Sequence, residues 1–156
     1  FDLCAMSSNS DRLDGELVAL RVVGHEYALS PDGRYIAAVT AARDDTESSL
    51  RVFDIESGQT MFRQPRARVS QSAWQRGTSM LVYAARDEAG GETLFAIAAD
   101  GSNNPRPLRG GSLGSDEVYS VAPNGQWVAI SARDGLALTF LALNDATRRS
   151  RAAAGD

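Results

Sequence analysis

A ten-residue stretch, Ser30-Pro31-Asp32-Gly33-Arg34-Tyr35-Ile36-Ala37-Ala38-Val39, constrains this chain more than any other feature, because degraded copies of it return twice. Pro31 presets φ for the first turn position, Asp32 can bond its neighbouring backbone and Gly33 tolerates positive φ, so the first four residues read as a hairpin turn. The residues that follow are apolar on both strand faces, as in a strand sandwiched between two other layers. The copies are Ala73-Trp74-Gln75-Arg76-Gly77 followed by Met80-Leu81-Val82-Tyr83, and Val121-Ala122-Pro123-Asn124-Gly125 followed by Trp127-Val128-Ala129-Ile130. Gly33 to Gly77 is a step of 44 residues and Gly77 to Gly125 one of 48.

Each copy continues in the same order. The first runs through a polar loop over 42–49 into the strand Leu50–Ile55, the turn Glu56-Ser57-Gly58-Gln59 and a short strand over 60–63. The second continues through Thr93–Ile97 to the turn Asp100-Gly101-Ser102, and the third through 136–143 to a turn near Asn144-Asp145. A period in the forties with four short strands per unit predicts β-propeller blades, antiparallel sheets that bury their faces only against one another. The expected fold is therefore all-β, with about three blades of four antiparallel strands plus a partial one. Residues 1–26 form the N-terminal segment, polar and irregular to residue 15, then an outer strand of the partial blade over 16–23, ended by Gly24. Blades follow over 27–68, 69–116 and 117–147, and 148–156 reads as a flexible tail. A closed propeller takes at least about four blades, so the chain is expected to be a fragment of a longer propeller or one completed by oligomerisation.

A second repeated element keeps the same register: Ala42-Arg43-Asp44, Ala85-Arg86-Asp87 and Ala132-Arg133-Asp134 each follow the second strand of a unit. Ser-Pro-Asp-Gly, an apolar strand, Arg133-Asp134-Gly135, a further strand, and Asp100-Gly101-Ser102-Asn103 before Pro105-Arg106-Pro107-Leu108 together resemble the TolB-type, WD40-like propeller repeat over about residues 27 to 146. The second copy departs from that pattern with Trp74-Gln75-Arg76, and the third lacks the turn aspartate. The resemblance implies a non-catalytic module of the bacterial periplasm or cell envelope, binding a protein or peptide through loops on one face or at the channel mouth. Similar repeats build the propellers of prolyl-oligopeptidase-like serine peptidases, so the alternative is part of an N-terminal gating propeller whose catalytic domain lies outside this chain.

Composition removes other functions. The net charge of -4 and pI near 5.0 argue against a sequence-independent nucleic-acid binder, which needs a basic face. All sixteen basic residues are Arg, and without Lys neither a P-loop nor a Schiff base can form. Cys4 is the sole cysteine, which excludes an intrachain disulfide and a cysteine zinc cluster. With Asp2 two positions before it, Cys4 fits a lipobox poorly and reads as a bystander thiol. The chain starts at Phe1 with no charged region ahead of an apolar run, so a targeting peptide is expected to have been removed or cut off, and no transmembrane span is expected.

Candidate chemistry is sparse. Gly110-Gly111-Ser112-Leu113-Gly114 matches the Gly-x-Ser-x-Gly pattern, but a nucleophile elbow needs a strand before it and a helix after. Here Asn104-Pro105-Arg106-Pro107 precedes and a strand over 118–121 follows, so the segment reads as an inter-blade loop. His25 is the only histidine and lies upstream of that serine; it reads as a structural or exposed residue. No catalytic, cofactor-binding or metal-binding residue is assigned, and no cofactor is expected. Because strands alternate direction, the loops carrying Arg43, Asp44, Asp45, Arg86, Asp87, Arg133 and Asp134 share one face, opposite the glycine turns. Two readings stay open for them: a ring that binds a cation or a basic partner segment, or local Arg-Asp pairs that only fix each loop. Arg63, Arg66 and Arg68 read as a solvated connection between blades.

Overall fold

The computed structural model describes residues 3–5, 16–19, 22–40, 48–70, 73–86, 91–114, 117–132, 137–143 and 148–152. Fifteen strands and no helix are formed among them. β1 (Leu3–Ala5) and β2 (Glu16–Ala19) pair as an antiparallel ribbon. β3 (Val22–Leu29), β4 (Tyr35–Thr40), β5 (Ser49–Asp54) and β6 (Thr60–Pro65) form the first blade, antiparallel and in chain order. The second blade holds β7 (Ala67–Arg68), β8 (Trp74–Gln75), β9 (Met80–Arg86), β10 (Glu92–Ala98) and β11 (Arg106–Leu113). β7 and β8 lie end to end along one edge of β9, so five strands occupy four positions. β12 (Glu117–Val121), β13 (Trp127–Ala132), β14 (Ala137–Ala142) and β15 (Arg148–Ala152) form the third blade.

Four sequence expectations change. Leu3–Ala5, expected to be irregular, pairs with Glu16–Ala19 and so gives both segments hydrogen-bond partners. The strand expected over 16–23 ends at Ala19, and β3 runs from Val22 straight through Gly24, the expected stop, with its register shifting between Val22 and Tyr27. A glycine in a strand often marks such an irregularity. The Gly110-Gly111-Ser112 segment is strand, not loop: Ser112 pairs with Thr93 and Leu113 with Glu92, after a register shift between Thr93 and Phe95. The tail read as flexible supplies β15, which pairs with β14 from Leu141↔Arg148 to Ala137↔Ala152 and completes the third blade.

Every residue of β4 is buried, as the doubly apolar pattern predicts. One face of β4 and β5 (Tyr35, Ala37, Val39, Leu50, Val52) packs on Leu81, Tyr83, Ala85 and Ile97 of the second blade. The opposite face of the second blade (Val82, Ala84, Leu94, Ala96) packs on Tyr119, Val121, Val128, Ile130 and Leu141 of the third. Side chains of alternate parity therefore serve successive interfaces, as a strand period of two requires. Tyr83 sits between Phe62 and Phe95, with ring centroids 5.5 and 5.6 Å away.

The repeated turns share one chemistry. Gly33 N–H donates to Ser30 O at 2.9 Å and Arg34 N–H to Asp32 Oδ1 at 3.1 Å. Ser30 Oγ accepts Tyr35 N–H at 2.8 Å and donates to Asp32 at 2.5 Å, and these bonds hold the Asp32 carboxyl below its ordinary range. In the third copy Asn124 takes over the aspartate's part, its Oδ1 accepting Gln126 N–H at 3.0 Å. In the second, Thr78 Oγ1 accepts Met80 N–H at 3.4 Å. The far end of each third strand then reaches back to the start of the second: Ile55 N–H to Arg34 O, Ala99 N–H to Ser79 O, and Leu143 N–H to Gln126 O, at 2.9, 2.7 and 2.8 Å.

Gly101 closes the outer hairpin of the second blade at φ 68°, and a Cβ there would stand 2.6 Å from Met61 O of the first blade. Gly33 has φ 72° and open space around it. Gly33→Ala is therefore expected to cost only the left-handed backbone penalty, about 1–2 kcal/mol. Gly101→Ala is expected to lower the urea midpoint further, because it also forces two blades apart; equal midpoints for the two variants would contradict this seam.

Candidate functional site

Strands β4, β9 and β13 all end on the side away from the glycine turns, at Thr40, Arg86 and Ala132. Charged residues gather on this side around the innermost strands. Arg68, which ends β7, donates through Nε to Glu92 Oε2 at 2.9 Å and through a terminal nitrogen to Glu117 O at 2.8 Å. Its guanidinium lies 5.6 Å from the centroid of the Tyr119 ring, a cation–π approach. The residue expected to be part of a solvated connection instead ties β7 to β10 and to the first residue of the third blade. The reason is geometric: in an antiparallel blade the inner strand and the start of the third strand open at the same end, so Arg68 and Glu92 face each other.

The split inner strand of the second blade explains Tyr119. Between β7 and β8 the backbone leaves the edge of β9, and the Tyr119 hydroxyl from the third blade fills the break. It accepts Ser70 N–H at 3.1 Å and stands 3.3 Å from Arg68 O and 3.4 Å from Val82 O, to which its proton is donated. Burial pushes this phenol well above its ordinary value. Trp74 does the corresponding work one blade earlier, its Nε1–H donating to Ala28 O at 3.0 Å. Each following blade thus sends an aromatic with a polar tip into the inner strand of the blade before it. Arg66, with φ 51°, turns the chain into β7; its N–H donates to Ser48 O and its carbonyl accepts Arg86 N–H.

Glu26 of β3 is partly buried and faces Arg68 and Glu92. Burial raises its pKa above the ordinary 4.5, opposed by the Arg68 charge and by a hydrogen bond from Val69 N–H. Arg86 caps β9 with its guanidinium 3.7 Å from Glu92 Oε1, and its side chain is 57% exposed against 13% for Glu92. Arg86 is the one proposed partner-binding residue whose side chain is described; Arg43, Asp44, Asp45, Asp87, Arg133 and Asp134 lie outside the described residues. Among the described residues no cluster of three His, Cys, Asp or Glu could hold a metal ion.

The sequence reading missed Glu26, Arg68, Glu92 and Tyr119, which come together from three blades. The recoverable signal was an aromatic with a polar tip on the first strand of successive units. On the opposite face, Pro31, Asp32, Arg76, Gly77, Thr78 and Ser79 line an open groove of about 470 Å³. Asp32 there already receives Ser30, Arg34 N–H and, at 3.3 Å, Ser79 Oγ–H, so the groove is the seam between two blades.

Tyr119→Phe keeps the ring and removes the hydroxyl that satisfies Ser70 N–H. The expected cost is about 1–3 kcal/mol, the penalty for a buried group left without its partner, read by urea unfolding. A variant as stable as the parent would mean that the hydroxyl does not hold the break closed.

No protein-family model matches the chain, and no curated protein does. Solved structures do. A prolyl endopeptidase studied for inter-domain dynamics in catalysis and specificity matches with a TM-score of 0.68 and 12% identity, over 93% of this chain and 25% of that one. A TolB-type protein from Agrobacterium tumefaciens matches with a TM-score of 0.53 and 14% identity, over 87% of this chain and 51% of that one. The chain thus spans about half or less of the length of these structures. Identities this low speak for architecture alone, and the architecture is that of a β-propeller: stacked four-stranded antiparallel blades.

Proposed function

We propose that the chain is a non-catalytic propeller module of the TolB type that binds a protein or peptide at the loop end of its inner strands, in the bacterial periplasm or cell envelope. The observation that carries the reading is Arg86. Its guanidinium is largely exposed and sits 3.7 Å from a carboxylate that Arg68 already holds at 2.9 Å. An exposed ion pair contributes about 0–1 kcal/mol, so Arg86 exchanges Glu92 for a partner's carboxylate or carbonyl at little cost. Glu26 stands across the same mouth with capacity for a donor. In this reading Arg43, Asp44, Asp45, Asp87, Arg133 and Asp134 extend the contact along the loops of the same face.

A second reading is favoured by the 93% coverage and TM-score of 0.68 against the prolyl endopeptidase. In it the blades are part of a gating propeller and the catalytic domain lies elsewhere on a longer polypeptide. A reading frame that continues into alternating strands and helices, with a Gly-x-Ser-x-Gly elbow and a later His, would replace the first reading by the second.

A photo-crosslinking residue at position 86 is expected to capture a polypeptide from the envelope fraction of the natural source, and one at position 78 on the turn face is not. Combining Asp44→Asn, Asp87→Asn and Asp134→Asn is expected to reduce that crosslink several-fold without moving the unfolding midpoint. Capture from position 78 alone would overturn the site. A large stability loss in the triple variant would make those aspartates structural.

A further inference from the structure

One guanidinium serves two carboxylates where the three blades meet. Arg68 of β7 has two nitrogens at 2.9 Å from Glu92 Oε2, and a terminal nitrogen also donates to Glu117 O at 2.8 Å. The Tyr119 ring covers the group, its centroid 5.6 Å away. The Arg68 and Glu92 side chains are 28% and 13% exposed, so water screens the pair poorly. Glu26 of the first blade faces the same guanidinium and the same carboxylate, yet its hydrogen bond comes from Val69 N–H. It meets Arg68 through charge, whereas Glu92 meets Arg68 through charge and hydrogen bonds together.

Among the described residues, the elements around Glu26 bring it no second cation. β4, the ladder partner of β3, carries no charged side chain. The Glu117 carboxylate is turned to Gly114 N–H at 2.8 Å. Burial keeps Tyr119 a neutral phenol, and its hydroxyl is engaged at Ser70 N–H, Arg68 O and Val82 O. Arg86 stands beyond Glu92, 3.7 Å from the other carboxylate oxygen. Two acids thus share one well-placed cation, and acids that share a site resist ionising together. Glu92 has the hydrogen bonds, so Glu26 is the one that keeps its proton longer. Burial, with Glu92 adding to it and with Arg68 and Val69 N–H opposing, holds the Glu26 carboxyl above its ordinary 4.5.

We propose that Glu26 is a proton-operated brace at this junction: protonated, it leaves Arg68 wholly to Glu92 and Glu117 O, and ionised, it competes for the guanidinium and slackens the tie from the second blade to the third. The element with two positions is the Arg68 side chain, and the local charge at Glu26 biases it. Acid therefore tightens this junction, the reverse of its effect on the turn aspartates. The folded chain keeps the Glu26 proton at a pH where the unfolded chain has lost it, so this stability is full below about 4.5 and falls as pH rises through the raised value. Asp32, Asp54 and Asp100 are held below the ordinary 3.8, and their contribution is lost only as pH falls below that value. The two windows do not overlap. The inference rests on the junction alone and holds whichever partner the loop end binds.

Glu26→Gln keeps the shape and the acceptor for Val69 N–H and removes the charge. It is expected to raise the urea midpoint of the protein at about pH 7 and to lose that advantage at about pH 4. An equal or lower midpoint at about pH 7, or an advantage that does not change with pH, overturns the proposal. Competition for Arg68 is read by carbon NMR titration of the Glu26 carboxyl, in the parent and in Glu92→Gln, where Arg68 has no other carboxylate to hold. The midpoint is expected above 4.5 in the parent and lower in Glu92→Gln. A parent midpoint at or below 4.5, or one that Glu92→Gln leaves in place, overturns the proposal. The Glu26→Gln comparison and the parent titration stand even where Glu92→Gln does not fold.

Discussion

A sheet that is apolar on both sides cannot end in water, and that constraint orders the whole molecule. The second strands here place hydrophobic side chains at odd and even positions alike, so each blade has two faces to bury and each neighbour can cover one. A fully buried Leu, Ile, Val or Phe contributes about 1.5–3 kcal/mol as an upper bound, and these side chains are shared between sheets. A single blade therefore has little stability of its own, as in other repeat architectures. The Ala positions in these strands let the sheets approach closely near the innermost strands, where the space between blades is narrowest.

Close approach creates a second requirement, that the polar backbone of the inner strands be satisfied without water. Two aromatic side chains meet it. Trp74 bonds the carbonyl of Ala28, and Tyr119 serves a donor and two carbonyls at the interruption between β7 and β8. Arg68 adds a charged link to Glu92 and Glu117 O at the loop end. The charged cluster is in this sense a product of the fold: the groups that hold the blades in register are also those that gather at the loop end of the inner strands.

What the sequence made legible follows from how local each feature is. Ser30-Pro31-Asp32-Gly33 was readable because its turn is closed by its own side chains, and the register of the repeat followed from it. Trp74-Gln75-Arg76-Gly77 was placed only by counting from its neighbours, yet its turn forms with Thr78 supplying the oxygen. The break in the second inner strand was not readable, since the hydroxyl that fills it comes from Tyr119, 49 residues beyond Ser70. Arg68 looked solvated for the same reason, as its partners lie on other strands. Glycine misled twice, at Gly24 and at Gly110-Gly111, where an irregular register absorbs what looked like a strand end or a loop. Of the candidate site, the loop triplets were legible as a repeat, whereas the inner-strand cluster needed three blades to be brought together.

The central claim is that the blades are stable only as a stack. Native-state hydrogen exchange along Ile36–Val39, Leu81–Ala84 and Val128–Ile130, measured across a series of low urea concentrations, tests it most directly. If the stack is one unit, the slowest amides of the three segments converge on a common opening free energy with a common urea dependence. Three separate opening energies, with a blade that opens while its neighbours stay protected, would contradict it.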